Sequence, residues 1–429
     1  MAIAVSRRVA WPNDARCAAL VSFDFDAETL WLSRDLANAE KLVTMSFGTF
    51  GAKVGVPAIL TMLADEAVPA TFFVPGWTAE RHIDKVEAIL RGGHEIGHHG
   101  YLHLWPDPEK PEEAEDEIMR GLDALQRTVG VRPVGYRAPA GEASRRLMTL
   151  LARERFLYSS SFKDDVYPYR HDAERGAPGL IELPEDPAID DTVYGFTHLR
   201  SPKPLFPEEH VLALWQQSFL AMHEAGGLFN LVLHPQVTGR PMRLALLRKF
   251  IAWMREFPGV WFATGEDIAR AFAAQEATHD RIARVVGATR FPFAGQIDWP
   301  ADYVTHVNAG APVRGIPSTW GTHWPDICVV DGEDRVREVG EVELDPGPHC
   351  LAEWQFGSAA ADDHTDSGVR HFFVYVPAGR EAEAMALLDG ASISYAGVRG
   401  FRPLEDGSVE VLPFVTTGEA KDDQPTRAR

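Results

Sequence analysis

The most constraining feature of this chain is a repeated order: a short apolar run, a polar residue at its end, a helical pattern, then another apolar run. The run at 17–25 ends in Asp24 and Asp26, and the one at 70–74 is closed by Pro75-Gly76. The stretch after the next helical pattern carries His99 and His103, a short apolar stretch delivers Arg137, 156–160 precedes Asp164 and Asp165, and 227–233 ends at His234. Helical spacing separates them at 57–67, 112–129, 209–223 and 244–254, and 260–263 closes the series before a helix at 266–272. Strands buried on both faces read as continuous apolar runs, and their alternation with helices predicts parallel βαβ units. In such sheets the carboxyl ends of the strands share one rim, where chemistry is kept. Each polar residue is ordinary alone; together they repeat one geometry.

Two of these stretches carry ligand chemistry. Gly93-His94-Glu95-Ile96-Gly97-His98-His99-Gly100-Tyr101-Leu102-His103 places four histidines beside glycines that let the backbone turn. Ser22-Phe23-Asp24-Phe25-Asp26 sets two carboxylates at i and i+2, on the same side of a strand. Two imidazoles and a carboxylate suit a divalent first-row ion and leave positions open for water and substrate. His94 and His98 also stand four residues apart, so a slipped pair is an alternative to His99 and His103. The acids Glu112, Glu113, Glu115 and Glu117 read as surface that compensates the dipole of their helix.

The net charge of −20 argues against nucleic acid or an anionic membrane surface as partner, because phosphate binding needs a cationic footprint. Cys17, Cys328 and Cys350 are too few and too far apart for a disulfide framework or zinc knuckle. With no apolar leader at the N-terminus and no run of about 18 apolar residues, a cytoplasmic protein is expected.

Beyond about residue 275 the alternation stops. A small α+β appendage, mostly antiparallel, is expected over 285–415, with strands at 341–344, 351–356, 371–376 and 409–415 and a helix at 380–388. His349, His364 and His371 there lack ligand spacing, and 416–429 reads as a disordered tail.

Over about residues 15–272 the chain resembles the polysaccharide deacetylase family (the NodB homology domain, carbohydrate esterase family 4). The resemblance is carried by Ser22-Phe23-Asp24-Phe25-Asp26, His99 with His103, Arg137-Ala138-Pro139-Ala140-Gly141 and Leu231-Val232-Leu233-His234-Pro235, in that order. Gly100 stands where the family often has Ser or Thr, and His99-Gly100-Tyr101 is closer to the branch with peptidoglycan deacetylase-like, allantoinase-like and cyclic-imide-hydrolase-like members. The resemblance implies a distorted (β/α) barrel over 1–284. It also implies one divalent metal ion (Zn first, with Co, Mn or Ni as alternatives) on Asp26, His99 and His103. Asp24 would be the base, kept ionised by Arg137. His234, on the opposite side, would be the acid, oriented by Asp164 or Asp165. The expected substrate is a glycan or small-molecule amide, attacked by metal-activated water, in a homo-oligomer. Opening of a small cyclic imide or ureide, without metal dependence, is the alternative; a catalytically inactive scaffold is a third reading.

Overall fold

Strand β1, Cys17–Asp24, is buried along its whole length, and the rest of the barrel is arranged about it. The residues described in the computed structural model are 9–105, 107, 110–172, 175–195, 206–292, 299–310, 312–318, 321–362, 369–417 and 425–428. They fall into two compact units, one within Trp11–Phe272 and the other within Ala273–Arg429, the latter joined by Val9 and Ala10. The division lies inside the helix Gly265–Arg290, ahead of the expected boundary at 284. That helix continues well past the expected 272 because Ile282, Ala283 and Val286 prolong its buried face at helical spacing.

In the first unit β2 (Thr71–Val74), β3 (Glu95–His98), β4 (Gly135–Tyr136), β5 (Tyr158–Ser159), β6 (Tyr169–Arg170), β7 (Ile181–Glu182), β8 (Leu228–Leu233) and β9 (Val260–Phe262) join β1 in one sheet. Its order is β6-β7-β5-β4-β3-β2-β1-β8. All pairings are parallel except β6 with β7. Strand β9 pairs with Cys17–Ala19, leaving Ser22–Asp24 to β2. The sheet curls into a distorted (β/α) barrel. Its seam is closed by a parallel bridge between Asp190 and Val232 and by Asn230 Nδ2, which donates to the carbonyl oxygens of Pro184 (3.1 Å) and Leu183 (3.4 Å). The core about β1 includes Val21, Phe23, Phe72, Val74, Leu231 and Leu233.

Helix Leu42–Phe50 runs through a π turn, Gly51–Gly55, into helix Val56–Asp65. By length and composition this helical stretch could cross a membrane, but Val56, Ile59, Met62 and Leu63 face the barrel core. A Cβ at Gly55 would lie 2.3 Å from the carbonyl oxygen of Pro235, so the missing side chain lets the helix abut the turn that follows His234. Between β7 and the helix Glu208–Ala225 the chain forms the short helical turns Pro187–Ile189 and Asp191–Gly195; 196–205 lie outside the described residues.

The second unit has a sheet of β10 (Val304–Val307), β13 (Ile327–Val330), β14 (Val336–Val342), β15 (Phe372–Pro377), β16 (Gly397–Pro403), β17 (Val409–Thr416) and β18 (Thr426–Ala428), in that order, with β11 (Ile316–Ser318) and β12 (Gly321–His323) as a separate hairpin. The joints of β14 with β15 and of β15 with β16 are parallel, the others antiparallel. The strand expected at 351–356 is instead the helix Leu351–Ala360, since Trp354, Gly357 and Ser358 are buried at helical rather than alternating spacing. The tail, expected without structure, carries β18 against β17; 418–424 and His364 lie outside the described residues.

Candidate active site

Asp24 ends β1 and Asp26 follows two residues later, fully buried. Thr29 Oγ1 (2.7 Å) and Thr78 Oγ1 (2.9 Å) both donate to the Asp26 carbonyl oxygen, fixing the turn. The Asp26 carboxylate faces the loop after β3: its Oδ1 is 3.5 Å from His99 Nε2 and 3.7 Å from His103 Nε2. His99 Nδ1 donates to the carbonyl of Arg137 (2.8 Å), which fixes the tautomer and leaves the Nε2 lone pair towards Asp26. Gln236 Nε2 donates to Asp26 Oδ2 (3.2 Å).

Asp24 is held differently. Arg137 Nη1 donates to its Oδ1 (2.8 Å), while its Oδ2 lies 3.8 Å from His99 Nε2 and 3.8 Å from His234 Nε2. Arg137 is 2% exposed, so it is no surface ion pair. Its guanidinium also donates to Ser22 Oγ (3.0 Å), Ser160 O (3.1 Å) and Ser160 Oγ (3.0 Å). It pairs with Glu185 Oε1 (2.5 Å) and lies over the Phe73 ring.

His234 is oriented by Asp191: Nδ1 donates to Asp191 Oδ1 (2.8 Å), and the His234 amide donates to Asp191 Oδ2 (2.9 Å). This corrects the expectation that Asp164 or Asp165 would do it. Asp164 is taken by Tyr169 (2.7 Å) and Arg175 (2.5 Å), and Asp165 caps the amides of Val166 and Tyr167. Asp191 reaches His234 because Asp190 bridges to Val232 at the seam. Nor does His234 stand across the site from the base; its Nε2 is 3.8 Å from both Asp24 Oδ2 and Asp26 Oδ2.

The slipped pair is not at the site. His98 Nδ1 accepts from the Gly100 amide (3.0 Å), and its Nε2 donates to the Ile118 carbonyl (3.0 Å), so both ring nitrogens are used within the protein. His94 is buried beside Phe72.

Burial and neighbouring charge set the protonation states. Burial opposes ionisation of Asp24, but the Arg137 guanidinium, followed by His99 and His234, holds its carboxyl well below the usual range. Burial pushes Asp26 up to about 7, helped by Asp24 and opposed chiefly by His234. Burial also lowers His99 and His103, leaving neutral imidazoles. His234 is buried too, yet Asp191, with Asp190 and Asp26, raises it well above its ordinary value. A neutral imidazole pair, one carboxylate and a fully buried Oδ1 with no hydrogen-bond partner among the described residues fit a divalent cation. Asp26, His99 and His103 offer ligand atoms within 4.8 Å of one another.

Asp191, Glu185 and Gln236 join the site without belonging to any of the sequence motifs, and Glu117 lies in an acidic helix start that marks it only as surface. Adjacent aspartates after the apolar Ile189 were the one available signal for Asp191.

The profile of the polysaccharide deacetylase family matches residues 36–156. A crystal structure from Mycobacterium smegmatis assigned as a polysaccharide deacetylase is 39% identical, with a TM-score of 0.61, covering 63% of this chain and 94% of that one. The peptidoglycan deacetylase of Helicobacter pylori is 28% identical over 275 residues, 58% of this chain and 94% of the relative. The crystal structure of Puue allantoinase, 24% identical with a TM-score of 0.53, covers 62% of this chain and 93% of that one and shares the fold.

Proposed function

The chain belongs to the polysaccharide deacetylase family, whose members hydrolyse amide bonds, and from that premise we propose a metal-dependent hydrolase of a non-peptide carbon–nitrogen bond. One observation carries this: Asp26 Oδ1, fully buried and without a hydrogen-bond partner among the described residues, faces two neutral imidazoles. Asp26, His99 and His103 would hold the ion, with Zn first and Co, Mn or Ni as alternatives. When bound, such an ion lowers the pKa of its water and polarises the scissile carbonyl.

The remaining work falls to the chain's own groups. Asp24, ionised beside Arg137, accepts the proton of the attacking water through Oδ2, the oxygen that the guanidinium leaves open. His234, carrying a proton under the influence of Asp191, delivers it from Nε2 to the departing nitrogen. Each proton transfer contributes typically about 10²–10⁴-fold. The substrate class is an N-acetylated amino sugar or glycan, as the name of the Helicobacter pylori relative suggests. Metal-independent opening of a cyclic imide or ureide would turn His99 and His103 towards substrate; their Nε2 atoms face Asp26 Oδ1 instead, which favours the ion.

The test is metal analysis of the purified protein, with assays on N-acetylated sugars, allantoin and simple cyclic imides before and after chelation. A stoichiometric ion and chelator-sensitive release of acetate support the proposal. Imide opening that survives chelation would replace it, and a metal-free protein inactive on every substrate would indicate a scaffold.

A further inference from the structure

Helix Pro111–Val129 starts with acids, most of them solvated, but Glu117 is 6% exposed and turned inwards. Its Oε2 accepts from the amides of Tyr101 (3.0 Å), Leu102 (2.8 Å) and Leu104 (3.2 Å), and its Oε1 from Leu102 (3.1 Å). The loop that carries His99 and His103 is therefore wrapped round a carboxylate of the chain itself, as backbone amides wrap a bound anion. Glu117 thus departs from the dipole-compensating surface role expected of it.

The loop needs such a hold. Gly100 has φ +74° and His103 φ +59°, and a histidine in the left-handed region persists only where its surroundings over-determine it. Two further contacts come from the same helix. The Ile118 carbonyl accepts from His98, whose other nitrogen accepts from the Gly100 amide. A Cβ at Gly121 would lie 2.6 Å from the Gly100 carbonyl oxygen, so the missing side chain allows the close approach.

We propose that Glu117 is a positioning residue for the metal site: it preforms the 100–104 backbone, so that the imidazoles of His99 and His103 meet Asp26 before any ion arrives. The inference rests on the reading of Asp26, His99 and His103 as ligands. Among the described residues no hydrogen bond joins Glu117 to the three ligand side chains; it acts through the amides between and beyond the histidines. Outer partners that orient metal ligands typically contribute about 10–100-fold in metal affinity.

The experiment titrates Zn²⁺ into the metal-free parent, Glu117→Gln, and Glu113→Gln as a control on an exposed acid of the same helix. Amide hydrogen exchange is measured on the metal-free parent. Expected are a loss of at least about tenfold in Zn²⁺ affinity for Glu117→Gln in a protein folded by circular dichroism, an unchanged control, and slow exchange at Tyr101, Leu102 and Leu104. A folded Glu117→Gln that binds Zn²⁺ like the parent, even with a lower melting temperature, overturns the proposal and leaves the metal reading standing. A parent that takes up no Zn²⁺ overturns the metal reading and this one with it. Should Glu117→Gln fail to fold, the parent alone decides: unprotected amides at these three positions refute a preformed loop, and protected ones uphold it.

Discussion

Asp191 grips His234 twice, once through the ring Nδ1 at 2.8 Å and once through the backbone amide at 2.9 Å. The same carboxylate accepts from Thr238 Oγ1 (2.6 Å), so it is anchored from the turn beyond His234 as well. Asp191→Asn keeps the shape but removes the charge that favours imidazolium. We expect kcat to fall about 10–100-fold with Zn²⁺ affinity within about twofold of the parent. Asp164→Asn should leave both unchanged, because Asp164 is occupied by Tyr169 and Arg175. Equal losses in the two variants would return the orienting role to the loop after β5.

Asp24 and His103 should separate chemistry from metal binding. Asp24→Asn removes the proton acceptor but none of the three ligands, so turnover should fall at least about 10²–10⁴-fold with the ion retained. His103→Ala removes a ligand, so ion and activity should disappear together, as measured by metal content and acetate release. A fully loaded His103→Ala protein would remove His103 from the ligand set.

What could be read in advance follows from where the stabilising partner lies. Strands β1 and β8 are buried on both faces, so their apolar runs are unmistakable, and the residues that end them inherit a place at the rim. The Asp191–His234 contact joins residues 43 apart through the seam, where a side-chain amide and one isolated bridge replace a ladder. No local pattern reports such a contact. Glu117 was hidden for another reason: acids in the first turns of a helix have a sufficient local explanation in the dipole, and only the loop packed against them shows the second use. The helix Leu351–Ala360 reads as a strand in the sequence because a short apolar run fits either period.

The approach of the π turn to the site gives a third test. A methyl group at Gly55 would sit 2.3 Å from the Pro235 carbonyl oxygen and 3.0 Å from its carbonyl carbon, both backbone atoms that cannot swing aside. Gly55→Ala should destabilise the protein by about 1–3 kcal/mol through overpacking. It should also lower kcat, since Pro235 links His234 to Gln236. Thermal unfolding and steady-state kinetics on the same preparation check both; an unaltered melting temperature would show that the helix retreats freely.

In the second unit, burial, with Glu341 and Glu343 nearby, pushes the Glu353 carboxyl up to about 9, opposed by His323. The folded protein therefore holds a proton that the unfolded chain, near its ordinary 4.5, has released. The stabilisation is complete below the unfolded value and is lost as pH rises through the folded one, so stability should decline between about pH 4.5 and 9. Glu353→Gln imitates the protonated carboxyl at every pH. The variant should match the parent near pH 5 and exceed it near pH 9 by at least about 1–2 kcal/mol, several degrees in melting temperature. Melting curves of both proteins across that range isolate the effect, because groups shared by the two cancel in the difference. A difference that stays constant with pH would mean that Glu353 ionises in the folded protein as it does in the unfolded chain.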